Sequence, residues 1–347
     1  MRFSTKLTNW YIKYKRDFPW RNTKTPYKIW LSEIILQQTK TSQGLPYYEK
    51  FIKNFPTINN LANANEENVL KLWQGLGYYS RARNLHFTAN FIVNELNGVF
   101  PTNYKNLLVL KGVGDYTASA IASICFNEKC AVVDGNVYRV LARFFNIKTP
   151  INSSKGIKEF KLLAQELLPN TDFGLYNQAI MDFGATICTP KKPNCDTCIF
   201  NDSCIALQKK RVSILPIKTS KTKIKKRYFN YIVIIAKNKT TILNKRTNKD
   251  IWLNLYEFPL IETKEEIDKK GLIETPIFNT IINKNTNYNL QLFNLKMIVH
   301  KLSHQHLFTK FWIVNINTNL PNSIPYYIIK KYPVPTLIDN FIREFDI

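Results

Sequence analysis

The chain has 347 residues, 45% of them hydrophobic and 13% aromatic, which is enough for two packed domains and excludes a disordered or fibrous chain. Forty-nine Lys and Arg against 25 Asp and Glu leave a net charge of +24, an excess that favours a polyanionic partner, although enrichment in Lys, Asn and Ile would raise it without function. No apolar run is long enough to span a bilayer, and Met1 to Lys6 leads into a polar segment, so a soluble cytoplasmic protein with no membrane partner is expected.

Residues 1–187 read as short helices. Apolar positions recur at helical spacing through Trp10-Tyr11-Tyr14, Tyr27-Trp30-Leu31-Ile34-Ile35, Leu70-Leu72-Trp73 and Phe160-Leu162-Leu163-Leu167, with Gly, Pro and Asn turns between them. Residues 205–227 carry nine basic side chains and no acidic one, the mark of an exposed linker. The pattern then turns to β. Strands are expected over Tyr228–Ala236, Thr240–Lys245, Leu290–His300 and Phe308–Ile316, with a closing amphipathic helix over Thr336–Glu344. The expected division is a mainly helical domain over 1–206, a basic linker over 207–227 and an α+β domain over 228–347.

Several residues carry chemistry. Glu33 stands among apolar and amide side chains, with Trp30 and Leu36 on its side of a helix. A carboxyl so walled loses hydration, which raises its pKa toward what a general acid needs at neutral pH; an exposed glutamate fits the pattern equally well. Gly112-Val113-Gly114 precedes a helix expected from Asp115, and outward backbone N–H groups there suit a phosphate. Asp134 follows Ala131-Val132-Val133 and precedes a helix from Asn136. Its first role is an N-cap, a place where a carboxylate stays ionised.

Four of the six cysteines, Cys188, Cys195, Cys198 and Cys204, fall within 17 residues. Thiolates on one short loop of an intracellular chain imply a metal centre, and the spacing alone leaves zinc and iron–sulfur both open. Cys125 and Cys130 read as packing residues.

A helical chain that ends in this cysteine loop, with Leu110-Lys111-Gly112-Val113-Gly114 upstream, resembles the helix-hairpin-helix base-excision DNA glycosylases. Within that superfamily, Leu31 to Thr39, Gly75 to Asn84 and Asp134-Gly135-Asn136-Val137 are similar to the MutY-type adenine DNA glycosylases. The resemblance implies two helical subdomains, a 4Fe-4S cluster on the four cysteines, and a hairpin at Gly112 and Gly114 that grips the DNA backbone with a monovalent cation. Glu33 would protonate the adenine leaving group and then activate water, while Asp134 would stabilise the sugar cation. Tyr116 stands where lyase-competent relatives carry lysine, which implies a monofunctional enzyme; Tyr116 and Asn136 would position groups at the sugar.

The same resemblance places Gln37, Gln38 and Tyr78 at the lesion, and Arg16, Trp20 and Arg21 around the adenine pocket. It implies a Nudix-like C-terminal domain, supported by Trp252 to Pro259 and His300 to His304, in which Ser303 and His304 read 8-oxoguanine. Leu302 stands where Phe is frequent, and no acidic metal-binding helix is present, so pyrophosphohydrolase activity is not expected. The implied partner is double-stranded DNA with an 8-oxoguanine:adenine or guanine:adenine mispair. The implied protein is a bacterial, cytoplasmic monomer associated with the nucleoid. The competing readings are an endonuclease III-like or thymine-mismatch glycosylase and a non-catalytic iron–sulfur DNA-binding or redox-sensing protein. The last would need neither Glu33 nor Asp134.

Overall fold

The computed structural model describes residues 2–219, 224–283 and 286–345. The chain forms two compact units: residues 2–63 with 84–219, and residues 64–83 with the described residues from 224 to 345. The division differs from the expected one in a specific way, because a segment of the helical half belongs to the C-terminal unit. Its side chains hold it there. Glu67 accepts from Lys245 Nζ (2.8 Å) and Tyr256 Oη (2.7 Å), Glu66 from Asn254 Nδ2 (2.6 Å), and Gln74 Nε2 donates to Asp339 Oδ1 (2.7 Å). Part of the expected linker is equally bound: Leu215 is buried and its carbonyl accepts from Arg143 Nε, while Ile217 O accepts from Ile151 N. Its residues 220–223 lie outside the described residues.

The first unit is helical, as expected. The helix Pro26–Leu36 packs on Asp115–Phe126, and Phe173–Thr186 packs on Phe3–Tyr14, Asp115–Phe126 and Gly135–Phe144. Close approach between the last pair depends on Gly184, where an added Cβ would sit 2.7 Å from Asn136 Cβ. That contact brings the start of Gly135–Phe144 against the helix ahead of the cysteine loop.

In the second unit the strands run in the order Leu260–Thr263, Lys225–Ile235, Gln305–Ile316, Tyr288–Leu292, with Ile298–Lys301 also paired to Gln305–Ile316. The central pair is parallel, in register Tyr231 to Phe311, and the others are antiparallel. Alternation along the strands gives each face its own core. Ile232, Ile234, Trp312 and Val314 pack with Leu272 and Phe278, whereas Tyr231 stacks on Phe311 and Phe311 on Phe341 of the helix Thr336–Glu344.

Three strand expectations change. Thr240–Lys245 is two short bridges, Thr240–Thr241 and Asn244–Lys245, and Leu260–Thr263 is an additional strand. Leu290–His300 breaks at Asn294, whose side chain bonds Lys296 O and Thr309 O and accepts from Phe311 N. These bonds replace a ladder step.

Candidate active site and cluster loop

Two carboxyls meet in the helical unit. Glu33 lies on Pro26–Leu36 and is 8% exposed. Asp134 caps Gly135–Phe144, accepting from Asn136 N at 2.9 Å, Val137 N at 2.8 Å and Asn136 Nδ2 at 2.7 Å. Both line one cavity of about 140 Å3, together with Arg16, Trp20, Arg21, Tyr116 and Asn136; that is room for one small aromatic ring system. Seven residues singled out in the sequence therefore share a single site.

Apolar walls come from Ile29, Leu36, Ile124 and Phe18. Trp30, expected beside Glu33, instead packs into the core against Phe100 at 5.5 Å. The residue one step earlier, Ile29, takes its place at the cavity.

Burial pushes the Glu33 carboxyl above its ordinary value; a hydrogen bond with Tyr116 and the charge of Arg21 oppose this, and the Asp134 charge adds to it. Burial also raises the Asp134 pKa, against the expectation that a capping position alone settles its charge. Its three N–H donors and the Arg139 guanidinium work back toward the anion. The two acids thus differ in company: Asp134 is met by three N–H donors, Glu33 by one phenol, the charge of Arg21 and an apolar wall. Tyr116 Oη also lies 3.2 Å from Met181 Sδ, and burial holds its pKa far above the ordinary value.

The arginines have a shared anchor that the sequence reading missed. Asp182, fully buried, accepts from Arg16 Nη2 at 2.7 Å and Arg21 Nη2 at 2.9 Å, and Phe18 stacks on Trp20. Asp182 and the cavity residue Gln178 are spaced i, i+4 on the helix Phe173–Thr186, which also carries the buried Asn177. Two polar groups four residues apart on a largely apolar helix were the available signal.

Gly112 bends the hairpin at φ +84, a region favouring glycine, and an added Cβ would lie 2.9 Å from Asn84 Cβ. Gly114 caps Asp115–Phe126 without a side-chain bond, so no side chain of the cap satisfies the first N–H groups of that helix. In that turn Asp115 pairs with Lys161 and accepts from Tyr104. Gln37 does not stand apart from this hairpin: its Nε2 donates to Thr117 Oγ1 at 3.1 Å and Gly112 O at 3.4 Å. Gln38 is exposed, at positive φ, and lines neither this cavity nor the one below.

In the second unit, Tyr78, Ser303 and His304 line another cavity, of about 450 Å3, and Tyr78 Oη lies 2.5 Å from Ser303 Oγ. The three residues come from sequence segments more than 200 positions apart, and the grouping of residues 64–83 with the C-terminal sheet is what unites them.

The four cysteines line one pocket with Arg143. Among the described residues no three His, Cys, Asp or Glu side chains converge closely enough to hold a single metal ion. Four thiols lining one pocket are the donor set of a polynuclear iron–sulfur cluster. Burial pushes the Cys198 thiol up to about 11, and burial with the neighbouring thiols raises Cys195 and Cys204 as well; bound metal supplies the positive charge that would stabilise four thiolates there. Phe200 N and Arg143 Nη1 donate to Cys198 Sγ and Cys188 Sγ, each at 3.4 Å.

A continuous chain of hydrogen bonds leads from this loop to the active site. Arg139 donates to Cys188 O at 2.6 Å, Gly184 O at 2.6 Å and Asn136 Oδ1 at 2.8 Å. Asn136 Nδ2 in turn donates to Asp134 Oδ2.

Residues 31–166 match the HhH-GPD superfamily base excision DNA repair protein family, residues 188–204 the iron-sulfur binding domain of endonuclease III, and residues 230–344 the NUDIX domain. The chain is 35% identical to the adenine DNA glycosylase of Buchnera aphidicola subsp. Acyrthosiphon pisum, across 99% of this chain and 98% of that protein. It is 42% identical to the human adenine DNA glycosylase across 60% of this chain and 40% of that one. Among solved structures it is similar to a thermostable thymine-DNA glycosylase, with TM-score 0.55 and 32% identity, over 60% of this chain and 95% of that chain. The resemblance to an endonuclease III–DNA complex, at TM-score 0.52 and 19% identity, concerns the fold. With a relative matched from end to end and its helical, cluster and Nudix-like parts each matched in turn, the chain belongs to the adenine DNA glycosylase family.

Proposed function

We propose that this adenine DNA glycosylase acts as a monofunctional, monomeric hydrolase on adenine mispaired with 8-oxoguanine or guanine in double-stranded DNA. The observation that carries the reading is the pairing of Glu33 and Asp134 in one small cavity, one carboxyl held by apolar walls and the other by N–H donors. The target nucleotide must leave the stack to reach that cavity. Glu33, neutral, gives its proton to the base as the bond from the sugar carbon to the base nitrogen breaks, the bonding electrons leaving with the base. Asp134, ionised, faces the positive charge that develops on the sugar. Water then adds to that carbon, and its proton goes to Glu33, which is restored. Arg16, Trp20 and Arg21 form the wall that receives the purine, with Asp182 fixing both arginines.

Tyr116 offers a phenol where Schiff-base chemistry needs an amine, which supports hydrolysis without strand cleavage. The hairpin at Gly112 and Gly114 is read as the phosphate grip. Lys111 O and Gly112 O each accept one side-chain donor, from Thr88 and Gln37, and each keeps a second lone pair for the monovalent cation. Cys188, Cys195, Cys198 and Cys204 hold the 4Fe-4S cluster, which shapes the loop; Arg139 and Arg143 tie that loop to the helix of Asp134. Tyr78, Ser303 and His304 read the base opposite adenine. Gln38, exposed and next to Gln37, whose side chain bonds the hairpin, stays in the proposal as a DNA contact. Nothing membrane-bound enters this reading, and among the described residues no helix is long and apolar enough to cross a membrane.

The test is a duplex with one 8-oxoguanine:adenine pair. The expected result is intact DNA until alkali is added, then cleavage at the adenine, with no borohydride-trapped complex. Strand breaks without alkali, or efficient trapping, would overturn the monofunctional reading.

A further inference from the structure

The cavity that holds Tyr78, Ser303 and His304 is bounded by the segment Lys301–Gln305, which carries the last two, and by Asp250–Trp252. One buried side chain is bonded to both. Arg227, 7% exposed, donates from Nη1 to Asp250 Oδ1 at 3.0 Å and to Gln305 Oε1 at 3.3 Å. Its Nη2 donates to Asp250 Oδ2 at 2.7 Å and Glu262 Oε2 at 2.6 Å, and its Nε to Glu262 Oε1 at 2.7 Å. A guanidinium has five N–H donors in a fixed fork, and here each has an acceptor.

The turn so anchored is conformationally demanding. Trp252 and Asn254 stand at φ +61 and +65, a left-handed region costly for a bulky side chain, so surrounding contacts must hold it. Arg246 adds bonds to Asp250 Oδ2, Ile251 O and Glu257 Oε1. Gln305 follows Ser303 and His304 directly and opens the strand Gln305–Ile316. Its carboxamide therefore ties the end of the Ser303–His304 segment, through Arg227, to the Asp250 turn.

We propose that Arg227 is a positioning residue for base discrimination: by bridging the Asp250 turn and Gln305 it sets the spacing of the cavity in which 8-oxoguanine is told from guanine. The proposal rests on the reading of Ser303 and His304 given above. A lysine at this position keeps the charge but supplies one flexible point donor group in place of the fork, so it cannot restore the bridge.

The experiment compares single-turnover cleavage of 8-oxoguanine:adenine and guanine:adenine duplexes by the full chain and by Arg227→Lys, Gln305→Ala, Ser303→Ala and His304→Ala, with a melting curve for each. For Arg227→Lys, the ratio of the two rates should fall about tenfold, with the guanine:adenine rate little changed. Gln305→Ala removes one arm of the bridge and should lower the ratio about threefold, the scale of one long hydrogen bond. A wild-type ratio in folded Arg227→Lys, or equal losses on both duplexes, overturns the proposal. Should Arg227→Lys fail to fold, Gln305→Ala decides, and a wild-type ratio there overturns it. If Ser303→Ala and His304→Ala both leave the ratio unchanged, the reading of the cavity falls and takes the proposal with it; if they lower it and the Arg227 and Gln305 variants do not, this proposal alone falls.

Discussion

Glu33 costs stability in order to be useful. Its pKa is raised by burial in the folded protein, so folding shifts its equilibrium toward the neutral acid. The sign follows directly. The stabilisation is complete below the ordinary glutamate value and is lost as pH climbs through the raised one, because the carboxylate must then form inside an apolar wall. Glu33→Gln cannot ionise. Its melting temperature should gain on wild type as pH climbs, reaching roughly 2–4 °C higher at about pH 8, and the difference should shrink toward pH 5. Thermal melts at both pH values check this, and a constant difference would mean that the carboxyl is already solvated. Wild-type single-turnover cleavage should fall over the same upper range, as the proton needed for base departure is lost. A rate unchanged across that range would mean that another group supplies the proton.

Elements, more than single side chains, bring the acids together. Pro26–Leu36 delivers Glu33, the start of Gly135–Phe144 delivers Asp134, and Phe173–Thr186 closes the cavity with Gln178 and Met181 while its Asp182 anchors Arg16 and Arg21 behind it. Arg139 joins the second and third of these to Cys188. Replacing it with Ala should lower the cleavage rate about 10–100-fold, the scale of losing a partner that orients a functional group. Iron content should stay near wild type, since Arg143 still binds the loop through Thr189 O and Cys188 Sγ. Loss of iron with an unchanged rate would contradict the bridging role. Much of this was legible beforehand: helical spacing, the Asp134 cap and the cysteine loop are local signals. Trp30 and Asp182 were not, because which side of a helix faces a cavity depends on the neighbouring helices. Asn294 likewise hid a strand break behind an apolar run.

At the scale of the whole chain, sequence order misleads about which residues act together. Residues 64–83 fold with the C-terminal sheet, carrying Tyr78 to Ser303. Composition could not show this, since the segment is helical and its ties are individual hydrogen bonds to Lys245, Asn254, Tyr256 and Asp339. A chain truncated after residue 227 would strip all four partners at once. Limited proteolysis of that truncation should cut within 64–83 first, whereas the full chain resists there; protection equal to the full chain would show that the segment holds its place unaided. Truncation therefore confounds any test of base discrimination, and point variants at Ser303 and His304 are cleaner. The central claim is simpler than any of these. On a duplex with a single 8-oxoguanine:adenine pair, single-turnover cleavage by Glu33→Gln should be undetectable while its DNA binding stays intact and it still melts cooperatively, no lower than wild type; appreciable base release by that folded variant would contradict the assignment of Glu33 as the acid.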